Sequence, residues 1–288
     1  MKYAYYPGCN TEGLSRELDQ SMRAIAPKLG IELVDLPEFV CCGAGQIREK
    51  DDVAELALNV RNLCIAERQG LDLLTVCATC YGTLLHTQYC LTHDRGRREQ
   101  VASRISSLGY SLEAALRTRV VHILEVFNGL RTEILKQVIS PESQKQIVVA
   151  PFYGCRLLRP HHELTTDFAR EYMLESLITA CGFTSVAYAG RTACCGFDIA
   201  FTDQPVTLRL LEKRLAEAAA SRADWIVTAC PLCQNVLDGL QSKARRGHDT
   251  HALIPVLHLP QLVGIVLGID FRALGLQRHI VPVRKSSA

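Results

Sequence analysis

The 288-residue chain is 48% hydrophobic and 22% charged, which supplies apolar material for a substantial core and excludes an intrinsically disordered chain. At this length it forms one large domain or two of ordinary size. A formal net charge of +2 provides no basic field of the kind that binds nucleic acid.

Strand and helix patterns alternate from the first residues. KYAYYPGC reads as a strand and enters it at once, leaving no room for a signal peptide, so a cytoplasmic protein is expected. A helix follows with Leu14, Leu18, Ile25 and Leu29 on one stripe. IELVDLPEFVCC is a second strand, leading into a helix carrying Val53, Leu56, Val60 and Leu63. LDLLTVC is a third, running into CATC and the helical YGTLLHTQYC; the basic run DRGRREQ (94–100) reads as a solvated face. VVHILEVF (120–127) starts a further helix, and the polar stretch QVISPESQKQ, with Pro141, marks a boundary between domains at residues 1–140 and 141–288. Beyond it the phrases return. QIVVAPFYGC precedes a helix around ELTTDFAREYMLESLITACG, FTSVAYA precedes a second CCG, and DWIVTAC runs into CPLC. The most apolar stretch, residues 252–271, holds Pro255, His258, Pro260 and Gln261; it reads as strand, turn and short amphipathic helix, not as a membrane span. Alternation of this kind predicts an α/β fold with parallel sheets flanked by helices.

The cysteines reveal a duplication. Cys9, Cys41, Cys42, Cys77 and Cys80 form a C-x31-CC-x34-C-x2-C pattern, and Cys155, Cys194, Cys195, Cys230 and Cys233 repeat it as C-x38-CC-x34-C-x2-C. The last four are each repeated 153 residues later and the first 146 later, so one loop is longer in the second half. All ten fall just beyond the predicted carboxyl ends of strands, where open α/β sheets place their sites. Cys64, Cys90 and Cys181 lie in helical patterns without partners and read as buried apolar thiols.

Three explanations compete for the adjacent pairs: buried apolar thiols, a disulfide, or metal ligation. The matched repetition excludes the first. A disulfide between neighbours is poor geometry, because adjacent Cα atoms lie about 3.8 Å apart, below the usual ~4.4–6.8 Å. Zinc takes four ligands, and one ion per half would leave a fifth thiol idle twice. Two thiolates about 4 Å apart repel by roughly 4 kcal/mol at an effective dielectric near 20. A multinuclear iron–sulfur cluster carries several cations and distributes five thiolates among them. Gly43, Gly45 and Gly196 suit it, since the backbone must turn tightly and present N–H groups to anionic sulfur. His122 and His258, in VVHILEVF and VLHLPQLV (256–263), stand at equivalent helix entries. They read either as packing at the helix start or as N–H donors to a cluster sulfur.

These motifs resemble the cysteine-rich CCG domains of the heterodisulfide reductase B subunit and its homologues. The resemblance runs from Cys9 in YYPGC to the closing IPVLHLPQLVGIVLGID and GLQRHIVPV, and implies two tandem pseudo-symmetric CCG domains. It implies one noncubane [4Fe–4S] cluster per half, held by the two five-cysteine sets, facing each other and opening a disulfide between them. It further implies a ferredoxin-like C subunit with cubane [4Fe–4S] clusters, a flavin-containing A subunit, and a thiol or disulfide coenzyme or lipoate-type carrier protein as substrate. Arg156 and Arg159, with His161 and His162, follow a ligand cysteine in CRLLRPHH and are candidates for holding an anionic substrate. Similar double-CCG subunits occur in quinone-linked succinate or fumarate enzymes and in glycolate- and lactate-oxidising complexes. There the chain would conduct electrons and touch a membrane peripherally, through segments such as 259–269.

Overall fold

The computed structural model describes residues 1–138, 144–159, 171–245 and 253–283; His161, His162 and the boundary around Pro141 lie outside them. Strands β1 (Lys2–Tyr6), β2 (Glu32–Asp35), β3 (Leu73–Thr75) and β4 (Val120–His122) form one parallel sheet in the order β2-β1-β3-β4. Strands β5 (Val148–Phe152), β6 (Thr184–Ser185), β7 (Trp225–Thr228) and β8 (Val256–His258) repeat that order as β6-β5-β7-β8. Of the inner strands, β3 and β7 are buried throughout and apolar up to a closing threonine, as suits parallel strands covered on both faces. The duplication read from cysteine spacing is therefore a duplication of topology. His122 and His258 occupy one position in it, paired in register with Thr75 and Thr228.

In the first half the helices are α1 (Arg16–Ile25), α2 (Gln46–Lys50), α3 (Asp52–Arg68), α4 (Ala78–His93), α5 (Arg95–Ile105), α6 (Leu112–Arg117), α7 (Ile123–Gly129) and α8 (Arg131–Lys136). In the second they are α9 (Met173–Ala180), α10 (Gln204–Ala220), α11 (Pro231–Leu237), α12 (Gln241–Arg245) and α13 (Leu259–Val266). Local chemistry fixes several starts. Asp51 caps α3 by accepting from Ala54 N at 2.8 Å, and Asp94 caps α5 by accepting from Arg97 N at 3.0 Å. The basic run before Ile105 is a neutralised helix surface: Arg95 pairs with Glu99, Arg97 with Asp52, and Arg98 with Glu113.

Two expectations about apolar segments are corrected. Leu14 lies ahead of α1 and is 72% exposed, so the stripe on that helix is Leu18, Met22 and Ile25, and Pro27 starts a separate short turn. Residues 256–266 contain no turn, because His258 both ends β8 and caps α13. Nearly all of α13 is buried, and it packs across the seam on α1 of the first half. Leu274 and Ile25 fill the space a Cβ would need at Gly264. Most of the apolar surface of this helix is therefore taken up by the seam. Among the described residues no helix is long and apolar enough to cross a membrane.

Candidate metal centre

The ten cysteines stand where the chain leaves the carboxyl ends of the strands. Cys9 opens a short turn after β1, Cys41 and Cys42 follow β2, and Cys77 caps α4 with Cys80 in its first turn. In the second half Cys155 follows β5, Cys194 and Cys195 follow a short helix at Ala189–Thr192, and Cys230 caps α11 with Cys233 in its first turn. Cys42, Cys77, Cys80, Cys195, Cys230 and Cys233 are buried; Cys155 and Cys194 are half-buried, and Cys9 and Cys41 are exposed.

These thiols form one continuous file. Cys9 Sγ lies 3.4 Å from Cys41 Sγ. From there contacts run Cys41–Cys42, Cys42–Cys80, Cys80–Cys77, and across the seam to Cys230. They continue Cys230–Cys233, Cys233–Cys195, Cys195–Cys194 and Cys194–Cys155. The second half repeats the order of the first in reverse. Cys77 and Cys230 are duplicates of each other, so the pseudo-twofold axis passes between their sulfurs. Thr79 adds a second cross-seam contact, its Oγ1 3.7 Å from Cys230 Sγ.

The electrostatics follow from crowding. Hydrogen bonds from Cys42 and Cys9 hold the Cys41 thiol down at about 2, while the same contact with Cys41 pushes Cys42 up to about 12. Cys194 is held down at about 2 by Cys155 and Cys195 in the same way. The outer thiols Cys9 and Cys155 are pushed up, first by those shared bonds and then by burial. At the axis Cys77 is raised chiefly by its bond to Cys230, and Cys230 is lowered by its bonds to Cys233 and Cys77. A file of thiols that shares protons in this way is one that several cations would discharge.

Backbone geometry is adapted to sulfur. Gly43 N and Gly196 N donate to Cys41 Sγ at 3.4 Å and Cys194 Sγ at 3.3 Å, from glycines with φ of 79° and 90°. Gly8 and Gly154, just before the first cysteine of each set, approach sulfur more closely still. A Cβ would stand 3.0 Å from Cys80 Sγ at Gly8 and 2.9 Å from Cys233 Sγ at Gly154. Sequence reasoning overlooked both, although YYPGC and FYGC each carry the glycine. It also overlooked Asn59 and Asn62, buried on α3. Asn59 Nδ2 donates to Cys42 O at 2.8 Å, and Asn62 donates to Val40 O at 3.0 Å and accepts from Val40 N at 3.1 Å, clamping the CC loop. Polar residues amid the stripe of Val60 and Leu63 were the available signal.

The remaining candidates are placed as follows. His122 Nδ1 accepts from Leu124 N at 3.1 Å, leaving Nε2 to donate across the seam to Ala229 O at 3.1 Å, one residue before Cys230. His258 Nε2 instead meets Glu17 Oε1 of α1 at 3.0 Å. Arg156 lines a narrow pocket of about 20 Å³ with Cys155, Cys194 and Asp198, and Arg159 is exposed. Cys64 donates to Ser111 O at 3.1 Å and is bonded away from the file. Cys90 is not a bare apolar thiol: His86 Nε2 lies 3.3 Å and Arg97 Nη1 3.7 Å from its sulfur. An open cleft of about 420 Å³ lies between the halves, with Cys41 in its wall.

Among the described residues no three His, Cys, Asp or Glu side chains are arranged to hold a single metal ion. The donor set is of another kind: all sulfur, in two matched groups, each packed against a glycine, Gly8 or Gly154, where a Cβ would crowd a cysteine sulfur. It suits a polynuclear iron–sulfur group, which binds through thiolates and draws stabilisation from N–H donors.

Comparison with known proteins agrees. The cysteine-rich CCG domain model matches twice, at residues 3–85 and 149–238. The 8-methylmenaquinol:fumarate reductase membrane anchor subunit of Wolinella succinogenes is 34% identical over 99% of this chain and 98% of its own. The B subunit of the ferredoxin/F(420)H(2)-dependent CoB-CoM heterodisulfide reductase of Methanosarcina acetivorans is 31% identical over 97% of this chain and 94% of its own. A hypothetical protein from Helicobacter pylori shares the fold, with a TM-score of 0.75 at 18% identity, and this chain spans 98% of itself and 52% of that one. The chain thus belongs to the family of paired CCG cysteine-rich domains that includes the heterodisulfide reductase B subunit.

Proposed function

We propose that the chain is an iron–sulfur subunit of a multi-subunit oxidoreductase, and that it interconverts a disulfide and two thiols at the cleft between its halves. The single observation carrying this reading is the continuous file of thiols, palindromic about the Cys77–Cys230 contact. Two five-thiol sets that meet on one axis would hold two redox groups, one on either side of a shared substrate. Cys9, Cys41, Cys42, Cys77 and Cys80 would hold one cluster of the noncubane [4Fe–4S] type, and Cys155, Cys194, Cys195, Cys230 and Cys233 the other. When bound, such clusters supply single electrons and a soft Lewis acid for sulfur. The overall reaction balances as one disulfide, two electrons and two protons giving two thiols, or its reverse, with electrons exchanged through a partner iron–sulfur subunit.

The protein's own residues perform the rest. Asn59 and Asn62 fix the CC loop, and Gly43 and Gly196 direct N–H groups at Cys41 and Cys194. Burial of six of the ten sulfurs excludes water from the inner file, while exposed Cys41 faces the cleft. His122, donating to Ala229 O, ties the end of β4 to the strand end that carries Cys230. The relative named as a fumarate reductase subunit supports a second reading, in which the same clusters only conduct electrons between a quinol and a partner.

A thiol carrying a magnetic sulfur isotope separates the two. Added to the oxidised holoprotein, it is expected to broaden the cluster's paramagnetic signal, because sulfur that reaches the cluster shares its unpaired spin. If no thiol alters the signal while a reduced quinol still reduces the clusters, the conduit reading replaces the catalytic one.

A further inference from the structure

The open cleft is built from duplicated segments that have diverged. One wall is Gly43, Ala44, Gly45, Gln46, Ile47 and Glu49, and the other is Phe197, Asp198, Phe201 and Thr202, with Thr79 and Leu232 between them. Most of these are duplicates at the 153-residue offset: Gly45 answers Asp198, Glu49 answers Thr202, and Thr79 answers Leu232. The fold is thus symmetric about the cleft and the side chains are not.

Two properties of the lining constrain what enters. The first is apolar. Phe197 and Phe201 meet edge to face, centroids 5.7 Å apart, and Phe201 is 76% exposed. A large aromatic ring left in water beside Leu232 and Ile47 is a surface that an apolar group would cover. The second is charge. Glu49 comes from the first half and Asp198 from the second, and both line the cleft; burial raises the Asp198 carboxyl, and Arg156 bears on it more than Glu49 does. Among the described residues no Lys or Arg lines the cleft. Arg48, next to Glu49 in sequence, is turned toward Glu55 and His86, 3.8 and 3.3 Å away. Arg156, half-buried, lines a narrow adjoining pocket of about 20 Å³ that shares Thr79, Phe197, Asp198 and Leu232 with the cleft and admits a water molecule at most.

Resting on the thiol–disulfide reading above, we propose that this cleft takes an uncharged or cationic thiol or disulfide with an apolar arm and turns anionic ones away. The arm lies against Phe201, Phe197 and Leu232, and the sulfur points to the wall that holds Cys41. An anionic tail brought beside two carboxyls is expected to bind about tenfold more weakly than its neutral counterpart.

The test uses the holoprotein, purified without air, three thiols on one two-carbon skeleton (cysteamine, 2-mercaptoethanol and 3-mercaptopropionate), and benzyl mercaptan as an aromatic fourth. Binding is read from the change in the cluster spectrum and expressed per thiolate. The expected order places 3-mercaptopropionate last by about tenfold, the E49Q/D198N double variant narrows that gap with iron content intact, and F201A weakens benzyl mercaptan more than 2-mercaptoethanol. Equal or tighter binding of 3-mercaptopropionate by the unaltered protein overturns this proposal and leaves the catalytic reading standing. No response to any thiol overturns both.

Discussion

Replacing Gly154 by Ala tests the cradle directly, because Gly109 supplies a matched control. Both glycines have φ of 69°, a conformation that costs an L-residue about 1–2 kcal/mol. Part of that is offset by about 0.4–1 kcal/mol from a stiffer unfolded chain. The surroundings differ: a Cβ at Gly109 meets nothing within 4 Å, whereas at Gly154 it stands 2.9 Å from Cys233 Sγ. Gly109→Ala is thus expected to cost about 1 kcal/mol, a fall in Tm of about 2–4 °C, with iron unchanged. Gly154→Ala carries the same backbone cost and also displaces Cys233, a buried sulfur inside the file. It is expected to lose the iron of the second half, about half of the total, while the first half keeps its own. Anaerobic iron analysis beside thermal melts of both variants reads the difference. Equal iron retention would show that Gly154 is a turn glycine and that Cys233 does not hold metal.

Further predictions concern residues outside the file or beside it. Cys64→Ala loses one hydrogen bond to Ser111 O, so it should cost about 1 kcal/mol and leave iron content unaltered. Asn59→Ala leaves the Cys42 carbonyl without its 2.8 Å donor; a cost of about 1–3 kcal/mol and selective loss of first-half iron are expected, measured by iron analysis and urea melts. His279 is held neutral, donating from Nε2 to Gln261 Oε1 and accepting from Gln234 Nε2, and burial pulls it down from 6.5 to about 4. The unfolded chain binds a proton between those values and the folded one does not, so stability falls as pH drops from 6.5 toward 4, by at most about 3 kcal/mol. His279→Gln should flatten that slope in anaerobic urea melts. Glu17, Asp238, His258 and Arg278 surround the ring and remain in both proteins, so an unchanged slope would assign the effect to them.

Legibility followed the range of the interaction. Cysteine spacing reports the chain's own offset, so it revealed the two equal topologies, and the matching phrases VVHILEVF and VLHLPQLV revealed the equivalence of His122 and His258 at the ends of β4 and β8. It carries no information on how the halves face each other. The Cys77–Cys230 contact, the donation from His122 to Ala229 O and the seam between α1 and α13 were accordingly invisible. The apolar run at residues 259–266 misled for the same reason, since only packing distinguishes a helix buried in a seam from one that lies on a membrane. Gly8 and Gly154 were legible in principle, as a glycine before the first cysteine in both halves. Asn59 and Asn62 were legible only as polar residues in an apolar stripe; their partner, a loop some twenty residues away, was not. The cleft's specificity lies in Phe201 and Asp198, where the duplicates differ, and a search for what the halves share passes over such positions.

Metal analysis of the chain prepared without exposure to air tests the central claim most directly. Two polynuclear clusters on ten thiols predict about eight iron atoms and a comparable amount of acid-labile sulfide per chain, divided between the halves so that Cys42→Ser and Cys195→Ser each remove about half. One or two zinc ions per chain with neither iron nor labile sulfide would contradict the account.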